Sequence, residues 1–199
     1  VSPADGTTPA LERAELDYYP TPRWVVDAIL PHLPRVASVF DPACGIGDLL
    51  EAFRHARREG IEIDADRALL AAATGSCIAH GDALKLQWPD ADLCILNPPY
   101  RINKEPTAEA FVRRALAWRA VDPRRTVAAL LRLSFLEPTD QDKTLRLPGR
   151  ADLHDKYPPE VYVLPERPRF RGDTKGTDNV TSAWFVYGPG RAGGRLVWL

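Results

Sequence analysis

The sequence predicts an α/β domain: a mostly parallel sheet with helices on both faces. Three observations lead there. Short apolar strands alternate with helix-period segments over residues 23–133, the order that a parallel sheet with crossover helices requires. The first strand runs into a glycine-bearing turn, Asp41 to Gly47. The run from Asp92 to Leu96 is apolar after its first residue and stops at Asn97-Pro98-Pro99, as a strand buried on both faces does.

Trp24, Val25, Val26, Ile29, Leu30 and Leu33 have helical spacing behind Thr21-Pro22, a capping residue with proline at the first helical position. Val36 to Phe40 is a strand that stops at Asp41-Pro42. Leu49, Leu50 and Phe53 open a helical pattern expected to last to about Gly60. Ile61-Glu62-Ile63 is a short strand, Ala65 to Ala73 a helix closed by Thr74-Gly75, and Cys77 to Ala79 a strand ending at Gly81-Asp82. Beyond the Asp92–Leu96 strand, Thr107 to Ala120 is an amphipathic helix and Thr126 to Leu133 a strand. Glu137 to Pro159 is polar and charged without periodicity. Val161 to Leu164 and Ala183 to Tyr187 are two late strands, expected to be antiparallel neighbours. The organisation expected is a tail over 1–17 and one domain over 18–199, with 137–159 and 165–181 as candidate substrate-recognition loops.

Composition narrows the classes. With 45% hydrophobic and 27% charged residues, the chain can build a core and is not disordered as a whole. No apolar run approaches the ~18 residues of a membrane helix, and the acidic N-terminal stretch is unlike a secretory signal. Cys44, Cys77 and Cys94 are widely spaced and odd in number, which suits neither a disulfide framework nor a zinc site. A cytoplasmic protein without a metal is expected. Residues 1–99 hold 8 basic and 15 acidic side chains, a balance of −7, whereas 100–199 hold 18 and 12, a balance of +6. That asymmetry points the second half toward a polyanion.

Gly45 and Gly47 let the backbone approach a ligand closely, and a following helix start could hydrogen-bond it. Leu50 stands where a dinucleotide fingerprint needs a third small residue, which argues against a nicotinamide enzyme. Glu62, 15 positions after Gly47, could accept hydrogen bonds from two ribose hydroxyls. Asp82, just past the third strand, could reach an adenine amino group. Asn97-Pro98-Pro99-Tyr100 is the most specific feature. Its prolines have no N–H and a fixed φ, so the turn is rigid. The Asn97 amide oxygen and the Pro98 carbonyl can both accept hydrogen bonds from one planar amino group, and Tyr100 offers a face for a ring.

Asp41 to Gly47 together with Asn97 to Tyr100 resembles the S-adenosylmethionine-dependent amino-group methyltransferases, notably the N6-adenine DNA methyltransferases. The resemblance covers residues 18–135 and, more loosely, the late strands. It implies a Rossmann-like class I methyltransferase fold, with a mostly parallel seven-stranded sheet and an antiparallel C-terminal strand. It implies S-adenosylmethionine as cofactor and methyl transfer to the exocyclic amino group of adenine in DNA. Tyr19-Pro20-Thr21-Pro22 is similar to the N-terminal cofactor motif of that family. The implied cofactor site is then Tyr19, Thr21, Asp41, Ala43, Cys44, Gly45, Gly47, Glu62, Asp82 and Asn97. The implied catalytic turn is Asn97, Pro98, Pro99 and Tyr100. Phe170 is similar to the aromatic residue laid against an extruded base. With Tyr100, Arg167, Arg169, Arg171 and Lys175 it makes the implied substrate surface.

Only 14 residues separate Asp82 from Asn97, where many family members carry a target-recognition domain, so the resemblance is to compact forms of phages and prophages. The same turn would serve RNA adenine or protein glutamine, and a non-catalytic S-adenosylmethionine- or nucleic-acid-binding module is the alternative of a different class. The expected partner is DNA, with RNA as the alternative and no membrane. The oligomeric state stays open, and a monomer is compatible with the sequence.

Overall fold

The computed structural model describes residues 20–102, 105–137, 150–168, 180–191 and 193–199. Among these, the main sheet has strands β1 (Ser38–Asp41), β2 (Arg57–Glu62), β3 (Cys77–His80), β4 (Leu93–Leu96), β7 (Thr126–Arg132), β8 (Glu160–Val163), β9 (Ser182–Tyr187) and β10 (Leu196–Trp198). Its order is β10-β8-β9-β7-β4-β1-β2-β3. β9 runs antiparallel to both β7 and β8, and the other pairings are parallel. A two-stranded hairpin, β5 (Arg101–Ile102) with β6 (Glu105–Pro106), follows β4. Helices α1 (Arg23–Ile29), α2 (Ala65–Ala73), α3 (Ala108–Val121) and α4 (Arg150–Lys156) complete the frame.

Strand alternation divides the core in two, since successive side chains of a strand face opposite sides of the sheet. Cys94, Leu96, Val127, Ala129, Leu131 and Phe185 join Phe111, Val112 and Leu116 of α3 and Leu153 of α4 in one cluster. Leu93, Ile95, Ala128, Leu130, Trp184 and Val186 join Val25, Val26 and Ile29 of α1, Leu50 and Phe53, and Ala71 of α2 in the other. The fully buried Trp184 indole donates to the Val25 carbonyl at 2.9 Å, fastening α1 to the centre of the sheet.

The structure corrects the sequence expectations in five places. The sheet has eight strands rather than seven, because β10 adds in parallel to β8. Three residues behind two glycines were too short a signal to read as a strand. The helix expected from Leu49 to Gly60 is only a 3-10 turn over Leu50–Phe53. Arg57, Arg58 and Glu59 carry no apolar pattern, yet pairing with β1, joined at Glu59 by pairing with β3, draws them into β2. The stretch 137–159, read as aperiodic, contains α4, whose one buried anchor, Leu153, leaves no periodicity to detect. Thr21 is not the cap of α1: Pro22 holds that position and no side chain bonds the helix start. Finally, Gly60 lies inside β2 rather than ending a helix.

Gly60 is where β2 meets the turn after β1. A Cβ there would stand 2.8 Å from the Cys44 Sγ and 2.9 Å from the Ile78 Cδ1. Gly60→Ala should therefore destabilise the protein by ~1–3 kcal/mol through overpacking. Cys44→Ala in the same chain should recover part of that loss, because the two sites touch and cannot be additive. Urea unfolding of both single variants, the double variant and the parent measures the coupling; strict additivity would show that the two side chains do not compete for one space.

Candidate functional site

Parallel β1, β2, β3 and β4 all deliver their carboxyl ends to one edge of the sheet. The chain steps from β1 out to β3 in one direction and then resumes at β4 on the other side of β1. A crevice opens where strand order reverses in this way. It is a cleft of about 740 Å³, counting its open mouth, lined by Thr21, Asp41, Ala43, Cys44, Gly45, Glu62, Asp82, Asn97, Pro98 and Pro99, all expected from the sequence.

Asp41 ends β1 fully buried and accepts a hydrogen bond from the Ala43 amide at 2.9 Å. Burial, reinforced by the charges of Glu62 and Asp48, pushes its pKa from the ordinary 3.8 up to about 8. Gly45 and Gly47 have φ of 56° and 96°, a left-handed backbone that favours glycine. The Gly47 amide closes the turn onto the Cys44 carbonyl at 2.8 Å. Burial and the neighbouring Asp41 carboxylate raise the Cys44 thiol, so it is no thiolate nucleophile.

Glu62 is buried at the end of β2. Its Oε2 accepts from the Gly45 amide at 2.8 Å, and its Oε1 accepts from the Asp64 amide at 2.9 Å and from Arg67 Nε and Nη2 at 3.2 and 3.0 Å. With Oε1 surrounded by three donors, a lone pair of Oε2 remains for one incoming hydroxyl. The expectation of two ribose contacts thus becomes one unless Arg67 moves. Asp82, at the β3 end, caps the turn that follows: its Oδ1 accepts from the Leu84 amide at 2.9 Å, and its Oδ2 pairs with Lys85 Nζ at 3.1 Å.

Across the cleft, Asn97 follows β4. Its Nδ2 donates to the Thr21 Oγ1 at 3.1 Å. Thr107 Oγ1 donates to the Pro99 carbonyl at 2.6 Å and the Thr107 amide to the Tyr100 carbonyl at 3.1 Å, which ties the turn to the start of α3. The Arg132 guanidinium lies 4.5 Å from the centroid of the Tyr100 ring.

Two expected residues stand apart from the lining: Gly47 packs toward Ala71 of α2, and Tyr100 does not line this cleft. Arg167 is exposed. Tyr19, Arg169, Phe170, Arg171 and Lys175 lie outside the described residues. Sequence reasoning missed Asp48, Leu49, Ile63, Arg67, Ala83 and Phe111, which also line the cleft. Ile63, 40% exposed and next to Glu62, was the most findable of these, since an apolar side chain at a strand end beside an acid is suited to a ring bearing a sugar. The turn after Gly47 leads into the 3-10 segment, so the α-helix start expected after the glycine-bearing turn is not there.

This architecture has relatives of known structure. A candidate RNA methyltransferase from Pyrococcus horikoshii superposes with a TM-score of 0.58 at 14% identity, over 88% of this chain and 89% of its own. A dimethyladenosine transferase from Plasmodium falciparum gives 0.55 at 15% identity over 85% and 62%. An S-adenosylmethionine-dependent methyltransferase from Thermotoga maritima gives 0.54 at 16% identity over 83% and 88%. The fold is that of the Rossmann-like methyltransferases. No protein-family profile matches the sequence, and no curated protein is similar to it in sequence.

The methyltransferase fold carries Asp41 as a buried acid whose protonation depends on folding. Unfolded, this carboxyl ionises near 3.8; folded, it keeps its proton to about 8. Folding takes up a proton between those values, so this group's contribution makes stability fall as pH rises through that window and level off above it. Asp41→Asn keeps an acceptor for the Ala43 amide and cannot ionise. Its unfolding free energy, from urea titration, should gain on the parent from pH 5 to pH 8, by at most about 1.4 kcal/mol per pH unit. Parallel curves for the two proteins would place the buried proton elsewhere.

Proposed function

We propose that this protein transfers the methyl group of S-adenosylmethionine to the exocyclic amino group of adenine in DNA. The observation that carries the reading is the rigid Asn97-Pro98-Pro99 turn lining the same cleft as the Gly45 loop and Glu62. A donor site and a site for a planar amine thus share one space.

The residues present suit the cofactor. The spare Oε2 lone pair of Glu62 is free for a ribose hydroxyl, Ile63 offers an apolar face to the adenine, and Asp82 lies beyond it at the β3 end. Asp48, Glu62 and Asp82 outnumber Arg67 among the charged side chains of the lining, a balance that suits a cationic ligand. When bound, S-adenosylmethionine supplies an electrophilic methyl group on a positively charged sulfur.

The chain's own task is orientation. An adenine amino nitrogen is conjugated with its ring and is a poor nucleophile. The Asn97 Oδ1 and the Pro98 carbonyl accept its two hydrogens, draw the nitrogen out of conjugation and aim its lone pair into the cleft. No strong base is needed for that. In a duplex the base must first leave the stack, at a cost of a few kcal/mol. Stacking on Tyr100, worth ~1–3 kcal/mol per base, offsets part of this. Arg132, held over the Tyr100 ring, and the exposed Arg167 supply positive charge for the backbone of a nucleic acid.

Incubation with methyl-labelled S-adenosylmethionine and separate DNA, RNA and glutamine-peptide acceptors tests the reading. Label should appear as N6-methyladenine in DNA. RNA is the pointed control, since relatives with this fold include a candidate RNA methyltransferase and a dimethyladenosine transferase. Label confined to RNA, to peptide or to a ring nitrogen would overturn the assignment. Asn97→Ala should lower turnover by about 100-fold or more, the scale set by loss of orientation, while calorimetry shows S-adenosylhomocysteine binding nearly unchanged. Glu62→Ala should do the reverse, weakening cofactor binding first.

A further inference from the structure

An amide can serve an acceptor amine in only one of its two orientations. Turned one way, Asn97 presents a carbonyl oxygen that accepts N–H hydrogens; turned the other, it presents its own N–H groups and repels them. The bare turn does not choose between these, because a carboxamide is nearly symmetric in shape and rotates at small cost. A partner that accepts from the Nδ2 end turns Oδ1 the other way.

Thr21 is that partner. It lies 76 positions earlier in the sequence, is buried to 8% exposure, and accepts the Asn97 Nδ2 hydrogen on its Oγ1 at 3.1 Å. Pro20 and Pro22 flank it, fixing φ on either side of Thr21.

We propose that Thr21 is a positioning residue for the acceptor site: it holds the Nδ2 end of Asn97 so that Oδ1 faces the incoming amine. This rests on the reading of Asn97 given above, and it moves Thr21 from the cofactor site, where the sequence resemblance put it, to the acceptor site. The acceptor must then bring N–H hydrogens, as a primary amine or amide does; a bare ring nitrogen or an oxyanion cannot use the site.

Thr21→Val removes the hydroxyl with little change of shape, and Thr21→Ser keeps it. Thr21→Val should lower kcat by up to about 100-fold, the scale of a misplaced reacting group, with the Kd for S-adenosylhomocysteine unchanged. Thr21→Ser should restore turnover. A second measurement needs no ligand. In the 15N-labelled protein, the Asn97 side-chain amide, assigned by its disappearance in Asn97→Asp, should exchange its hydrogens slowly in the parent and in Thr21→Ser and fast in Thr21→Val. A weakened S-adenosylhomocysteine Kd in Thr21→Val with unchanged kcat at saturation would overturn the proposal and return Thr21 to the cofactor site. Equal Asn97 exchange in parent and Thr21→Val would overturn it as well. A parent that methylates none of the acceptors would defeat the proposed function, and the exchange measurement would still decide what Thr21 does to Asn97.

Discussion

The hydrogen bond from the Gly45 amide to the buried Glu62 carboxylate is the contact on which the site depends. It joins the turn after β1 to the end of β2, and the Cys44 amide reinforces the join by donating to the Ile61 carbonyl at 3.0 Å. A carboxylate this deeply buried is tolerable only when donors surround it. Gly45, Asp64 and Arg67 provide them, so one side chain fixes the loop, the start of α2 and an arginine at once. Removing one member of a buried, hydrogen-bonded ion pair costs ~3–5 kcal/mol, so Arg67 belongs to the architecture of the cleft as much as to its chemistry. Gly60 lets the loop sit close to β2, because any side chain there would occupy the space of Cys44.

Around that join the cleft divides by chemistry. Its β1–β3 side is built of turns whose amides are held by the carboxylates at the strand ends, Gly45 by Glu62 and Leu84 by Asp82. Its β4 side is a proline-stiffened turn braced from behind by Thr107 and from the front by Thr21. The residue between the two sides, Thr21, comes from the segment before α1. That segment is docked where the Trp184 indole grips the Val25 carbonyl. A strand near the end of the chain therefore holds in place the piece of chain that touches Asn97.

The buried acid Asp41 sits at the base of this arrangement with its proton retained toward neutral pH. A raised carboxyl at the floor of a cleft works against folding at higher pH, and a neighbouring positive charge would relieve it. Asp48, whose carboxyl pKa is also raised by burial, lines the same cleft.

What the sequence determined by itself was the order of elements and the chemistry at the strand ends. The buried β1 and β4 are apolar runs whose ends are marked by Asp41-Pro42 and Asn97-Pro98, and the edge strand β3 ends at Gly81-Asp82; such local signals need no tertiary context. Ala65 to Ala73 was legible for the same reason, as Asp64 caps that helix with its own carboxylate. Only the tertiary structure decided that Arg57 to Glu59 form a strand, since pairing with β1 overrode a polar sequence. It decided that β10 closes the sheet, because its few residues gain their order from β8. It decided too that Glu62 meets Arg67 and that Thr21 meets Asn97. Hydrogen bonds between residues far apart in sequence leave no periodic trace in it, and they exist only once the sheet has brought its strand ends to one edge.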